Sequence, residues 1–232
     1  MQEISWKENL RVAWFGSFLT GASISLVVPF MPIFVEQLGI EGDQVAFYAG
    51  LAISVSAVSA ALVSPIWGIL ADKYGRKPMM IRAGLAMTIT MGGLAFVPNI
   101  YWLLFLRLLN GVFTGFVPNA TALIASQVPK DKSGAALGTL STGVVAGTLT
   151  GPFVGGFIAE IFGIRNVFLL VGAFLFLAAI LTIFFIKEDF QPVAKEKAIP
   201  TKEVFSSFKY PRLLINLFLT SFVIQFSAQS IG

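Results

Sequence analysis

Of the 232 residues, 56% are hydrophobic and only 12% are charged, and the mean hydropathy is +0.83. A water-soluble domain carries about a quarter of its residues as charges, so this chain cannot cover its apolar surface with polar groups, and lipid is its solvent. The net charge of +4 does not point to nucleic acid, because the basic residues stand in short runs between apolar segments, and the absence of Cys and His removes disulfides, thiol nucleophiles, imidazole bases and the usual zinc ligands.

A helix needs about 20 apolar residues to cross a bilayer. The first stretch that qualifies is 12–36. It follows a mixed-charge N-terminus and shows no small-residue cleavage site, so it reads as an uncleaved span. Phe15, Ser17, Thr20 and Ser23 on it are candidates for lining a cavity, and Pro29 and Pro32 lie near its end. The second span is expected at 46–71 and the third at 79–98. The loop between them, "GILADKYGRKPMM", reads as a tight reversal: Gly75 can leave the helix through a left-handed conformation, and Pro78 suits the first turn of the next helix. Asp72 sits there at the membrane edge beside Lys73, Arg76 and Lys77, with Arg82 just beyond.

The fourth span, 101–125, contains "FLRLLNGVFTGFVPNA". Arg107 lies well inside it, where a charge is costly unless it meets water or partners. Gly111 and Gly115 continue the four-residue row from Arg107, offering a charge and two close-approach points on one face. Asn110, Thr114 and Asn119 keep the region polar, as in a helix lining a cavity, with Phe113 available for stacking.

The fifth span, 134–159, carries "GVVAGTLTGPFVGG". Gly143, Gly147, Gly151 and Gly155 recur every four residues, and Ala135, Thr139 and Ala159 extend the row. Four residues make about 400° of a 3.6-residue helix, so the row is a narrow stripe along which another backbone can approach. Pro152 removes one internal hydrogen bond and is expected to bend the helix. Packing alone accounts for the glycine row; it does not account for Pro152 or the doubled Gly155-Gly156.

The sixth span is expected at 164–186. Residues 187–212 read as a polar connector with a short surface helix around Thr201–Phe208, and a seventh apolar run begins near Leu213 and is still running at Gly232. Phe-Leu-Thr recurs at 18–20 and 218–220, which fits a duplicated architecture and a protein that continues beyond this sequence. The expected organisation is therefore a six-helix bundle over 1–186, a connector over 187–212 and the start of a seventh span over 213–232.

Lysine and arginine set the orientation. Lys7 and Arg11, Lys73, Arg76 and Lys77, Lys130 and Lys132, and the connector's Lys187, Lys195, Lys197, Lys202, Lys209 and Arg212 all fall on one side. The other side has only Arg165, against Glu36, Glu41, Asp43 and Glu160. The positive-inside rule places the N-terminus and the connector in the cytoplasm.

Three stretches resemble signature motifs of the major facilitator superfamily. Gly68, Asp72, Gly75, Arg76 and Lys77 match G-x-L-x-D-x-x-G-R-[KR]; Arg107 and Gly111 match R-x-x-x-G of proton-coupled members. Gly147, Gly151, Pro152, Gly155 and Gly156, preceded by Gly143, resemble the fifth-span motif of its drug–proton antiporters, and "VVPFMPIF" resembles its tetracycline- and multidrug-exporter branch. The resemblance implies an all-α integral membrane protein of two six-helix bundles, of which this chain supplies one and the start of a seventh span. It also implies a monomer in the bacterial plasma membrane, with lipid, amphiphilic drugs and protons as its partners. Such a protein exports structurally diverse drugs, such as fluoroquinolones and dyes, in exchange for protons by alternating access; it draws on the proton gradient and needs no cofactor or metal.

In that scheme Asp72 and Arg76 steady the closed cytoplasmic side. Gly147–Gly156 makes a sliding, bendable contact against the other bundle, and Arg107 sets the potential of the central cavity and shifts the pKa of a nearby acid. No Asp, Glu or His lies inside any span, so the proton carrier is either an acid outside this sequence or an edge carboxylate such as Asp72 or Glu36. A proton-linked importer of a small metabolite and a non-transporting membrane scaffold are the alternatives. No paired acids or nucleophile–base set suggests an enzyme.

Overall fold

The computed structural model describes residues 5–190, within a unit spanning Met1–Pro192; the expected surface helix and seventh span lie outside the described residues. All regular structure among the described residues is helical, as a lipid solvent demands of a backbone that must satisfy its own hydrogen bonds. Six segments are long and apolar enough to cross a membrane: Trp6–Val27, Gln44–Tyr74, Arg76–Phe96, Ile100–Gln127, Lys130–Phe162 and Ile164–Phe185.

Two of the spans expected from the sequence are not single helices. The first expected span divides into α1 (Trp6–Val27) and α2 (Met31–Gln37), separated by a turn over Val28–Phe30 that contains Pro29. The fourth divides into α5 (Ile100–Phe113) and α6 (Phe116–Gln127). The others are α3 (Gln44–Tyr74), α4 (Arg76–Gly93, continued by a 3-10 turn), α7 (Ser133–Phe162) and α8 (Ile164–Phe185). Pro152 does not interrupt α7, nor Pro65 α3.

The bundle is held by three main pairings: α1 on α7, α4 on α8, and α3 on α5, with α1 also lying against α8 and α6. One apolar core, around Met80, Ala83, Phe116, Leu123 and Leu140, lies toward the end that carries the N-terminus. A second, around Phe34, Met91, Leu103 and Phe168, fills the opposite end, where Phe34 and Phe168 pack with ring centroids 4.5 Å apart. Polar groups close both ends. Asn9 Nδ2 donates to the Gln127 side chain at 2.7 Å and to the Lys187 carbonyl at 2.6 Å, tying together the ends of α1, α6 and α8. At the far end Arg165 donates to the carbonyls of Ala95 (2.7 Å) and Val97 (3.2 Å), so this cation has a bonding role within the bundle.

Candidate functional site

The glycine stripe has a definite partner, and it is not the one expected. On α7 the buried residues are Ala136, Leu140, Gly143, Gly147, Gly151 and Gly155, while Leu149, Phe153 and Phe157 on other faces are exposed. A Cβ added to Gly143 would lie 2.7 Å from the Trp14 carbonyl oxygen, and one on Gly151 would lie 2.8 Å from that of Ala22. At Gly147 it would overlap the Phe18 carbonyl, and at Gly155 the Leu26 side chain. Trp14, Phe18, Ala22 and Leu26 also step by four, so two matching rows meet where Trp14–Leu26 of α1 lies along Gly143–Gly155 of α7. The contact expected against a second bundle is therefore made inside the first, because only an absent side chain lets α7 reach the carbonyl row of α1. Gly156 is off the seam, and a Cβ there would meet nothing within 4 Å.

Pro152 is built into the same seam. Lacking an N–H, it leaves the Thr148 carbonyl without its helical donor. Ser25 Oγ on α1 supplies one at 2.7 Å. The helix stays unbroken, and the proline becomes a point of attachment between the two helices.

The loop between α3 and α4 turns on Gly75, whose φ of +102° and ψ of 161° belong to a region that only glycine enters at low cost. The positive φ is the left-handed conformation expected at this glycine, with an extended ψ. Asp72 and Arg76 form an ion pair on the exposed rim. A further residue, which the sequence did not single out, caps α4. Glu188, just past α8, accepts the backbone N–H groups of Arg76 (2.8 Å) and Lys77 (2.7 Å), while Lys77 Nζ donates to the Ile183 carbonyl at 3.0 Å. A carboxylate at a helix N-terminus is favoured by both the free N–H groups and the dipole. Gly75 also gives Glu188 room, since a Cβ there would sit 2.8 Å from Glu188 Oε2. Gly68 meets nothing within 4 Å and lines a cavity.

Arg107 is buried, with 7% exposure, and faces α3 instead of snorkelling to an interface. Its Nε donates to the Ala52 carbonyl at 3.0 Å, and Nη1 lies 3.8 Å from the Met91 sulfur. No carboxylate pairs with it among the described residues, so the acid it was expected to influence is not in this bundle's interior. One turn on, Gly111 lets α5 close on α3, where a Cβ would overlap the Ser59 hydroxyl and the Ser56 carbonyl. Asn110 continues this polar line, bonded to Thr90 (3.1 Å) and Ser56 (3.4 Å).

Gly115 is not a second close-approach point. It is the break between α5 and α6, with φ +129°, and a Cβ there would find only ordinary contacts at 3.6 Å. The cavity candidates on the first span are likewise corrected. Ser17, Thr20 and Ser23 are buried within the bundle. Thr20 and Ser23 bond back to the carbonyls of Gly16 and Leu19, each at 2.8 Å, and the Ser17 hydroxyl has no partner among the described residues. Phe15 is exposed and stacks on Phe18, and Phe113 lies against Trp67 with centroids 6.3 Å apart.

Two cavities run along α3 and the broken span. One of about 230 Å³ is lined by Met91, Arg107, Asn110 and Thr114 among others. The other, of about 360 Å³, reaches Trp67, Gly68, Arg76, Gly115 and Asn119. Ala60 and Thr114 line both. Of the sequence candidates, the structure thus brings Arg107 and Asn110 into one cavity and Gly68, Arg76, Gly111 and Asn119 into the other. Both cavity walls carry arginine and, among the described residues, no carboxylate.

Fold and site together define one six-span bundle of a polytopic membrane protein, with a glycine-packed seam and a buried arginine. The chain belongs to the Major Facilitator Superfamily, whose family model matches residues 13–231. It is 89% identical over all 232 residues to the multi-drug resistance efflux pump PmrA of Streptococcus pneumoniae. It is 54% identical over 228 residues to the PmrA homolog of Lactococcus lactis, and 50% identical over 228 residues to the multidrug resistance protein MdtG of Proteus mirabilis. The chain spans 58%, 56% and 57% of the lengths of these relatives while 98–100% of it is covered. Among solved structures, the human organic anion transporter MFSD10 superposes with a TM-score of 0.70 at 18% identity, covering 84% of this chain and 50% of that one. The POT family transporter PepTSo gives 0.70 at 15%, covering 82% and 40%. At these identities the likeness is one of fold.

Proposed function

We propose that the full-length protein is a secondary active transporter of the bacterial plasma membrane that exports structurally diverse drugs from the cytoplasm in exchange for protons. The observation that carries this reading is the 89% identity, without a gap in coverage of this chain, to a protein named as a multidrug efflux pump. The geometry is in keeping with it. A cavity wall that holds Arg107 and no carboxylate suits bulky amphiphilic or zwitterionic compounds, fluoroquinolones and dyes among them, better than strictly cationic ones.

In this reading the protein works as a monomer with its N-terminus in the cytoplasm, by alternating access of two bundles. The α1–α7 seam makes the first bundle rigid enough to rock as a body. The Asp72–Arg76 pair and the Glu188-capped turn hold the cytoplasmic rim against the second bundle. Arg107 keeps the cavity positive. The described carboxylates stand at helix ends, so the proton binds either at an acid in the remaining length of the protein or at an edge group such as Asp72 or Glu36. The protein performs transport and not catalysis; the proton gradient is its energy source and it uses no cofactor.

Efflux of a zwitterionic fluoroquinolone from cells expressing the full-length gene, with and without a protonophore, tests the proposal. Expression is expected to lower its accumulation, and the protonophore to abolish the effect. Unchanged accumulation across a drug panel would overturn the exporter reading, and efflux that survives the protonophore would overturn only the coupling.

A further inference from the structure

Among the prolines inside the spans, Pro152 and Pro118 each free a carbonyl that a side chain of another helix meets, and the two sites are treated differently. At Pro152 the Ser25 hydroxyl replaces the missing donor and α7 remains one helix. At Pro118 the span breaks. The Thr114 carbonyl, four residues before Pro118, has no helical donor, and Gly115 turns the chain through φ +129°. Arg82, reaching across from α4, donates Nη2 to that carbonyl at 3.1 Å. Trp67, from α3, donates Nε1 to the Val112 carbonyl at 2.6 Å. The Arg82 guanidinium then lies on the Trp67 ring, 3.5 Å from its centroid. Three spans therefore meet at the break through two side chains that stack on each other.

This arrangement has a cost at both ends. Arg82 Nε and Nη1 are buried and have no hydrogen-bond partner among the described residues. A charged group with unmet donors inside a membrane span, and a helix with opened carbonyls at the same depth, are both unfavourable. Each answers part of the other's need: the carbonyls accept from the side chains, and the indole face accepts the cation. A continuous helix with an apolar residue at position 82 would avoid both. The position of the break gives the arrangement a use, since Thr114 is the point where the cavity holding Arg107 meets the cavity reaching Arg76.

We propose that Trp67 and Arg82 are positioning residues that hold the α5–α6 break as a joint, at which α6 swings against α5 as the passage between the two cavities opens and closes. This role rests on the transport reading above, but the joint can be tested without transport. Ser64 lines the larger cavity, and the 232 residues contain no cysteine. A single Ser64→Cys in the full-length protein, kept otherwise cysteine-free, therefore reports on that cavity through its reaction rate with a membrane-impermeant maleimide.

The deciding variant is Gly115→Ala with Pro118→Ala, which restores helix-forming residues across the break. Its expected behaviour is a melting temperature at or above wild type, an altered Ser64→Cys labelling rate, and efflux lowered about tenfold or more, as for a hinge made rigid. Arg82→Gln is expected to alter labelling in the same way, and Arg82→Lys to recover part of the efflux. Should Arg82→Gln fail to insert, Trp67→Phe keeps a smaller aromatic face for Arg82, drops the bond to Val112 and carries the same expectation. Wild-type labelling in the straightened variant would overturn the proposal whatever its efflux. If the wild-type protein moves no drug, the transport reading falls and labelling alone decides the joint.

Discussion

The seam between α1 and α7 makes a quantitative prediction with an internal control. In Gly147→Ala the new methyl overlaps the Phe18 carbonyl oxygen and comes within 2.8 Å of the Ala22 nitrogen. Both are backbone atoms inside a helix, so no side chain can turn aside. Restoring an ordinary carbon–oxygen contact requires the helices to part by roughly an ångström. That loosens the neighbouring contacts at Gly143 and Gly151 as well. Overpacking of this kind costs about 1–3 kcal/mol, which is about 2–12 °C in melting temperature for a domain of this size. Gly156→Ala is the control: its Cβ meets nothing within 4 Å, and losing a helix-interior glycine gains about 0.5–1 kcal/mol. Thermal unfolding of the full-length protein in detergent, read by size-exclusion fluorescence, measures both. A Gly147→Ala melting temperature equal to wild type, or an equal fall for both variants, would refute the close seam.

Other expectations follow from the ends of the bundle and the buried arginine. Glu188→Ala removes two charge-assisted hydrogen bonds from the start of α4 and should lower stability by about 1–3 kcal/mol in the same assay. Asp72→Asn breaks an ion pair whose carboxylate is 56% exposed, so stability should change by less than about 1 kcal/mol while efflux is lost; a matching loss of both would make the pair structural. Arg107→Met places an apolar side chain beside the Ala52 carbonyl and should leave a folded protein without drug efflux, measured in cells at matched expression. Gly151→Leu should insert and yet lose efflux, since the larger side chain meets the Ala22 carbonyl, Ser25 and Leu26.

Much of this bundle is legible in the sequence because lipid imposes simple rules. Six apolar runs become six spans, and the ends of five agree to within a few residues, as for Gln44–Tyr74 against an expected 46–71; the first, expected at 12–36, is Trp6–Val27, because the end of that run forms the separate α2. What hydropathy cannot show is a break flanked by apolar residues on both sides, as at Val28–Phe30 and Thr114–Gly115. A local signal existed for the second: Pro118 withholds the N–H that Thr114 needs, with glycine beside it to make the turn. The four-residue glycine row announced a close contact but not its partner, because Phe18 and Gly147 are brought together only by the tertiary fold. Arg82 and Glu188 were passed over for a similar reason. One stands just past a basic loop and the other at the start of a polar connector, and their partners lie on other helices.

Drug–proton exchange is decided with the purified full-length protein in liposomes under an imposed pH gradient, following a zwitterionic amphiphile and the internal pH together. The compound is expected to move uphill, with protons moving the opposite way; the movement stops when the gradient is collapsed and is absent from Arg107→Met. Movement that ignores the gradient, or none at all in a folded preparation, would contradict drug–proton exchange.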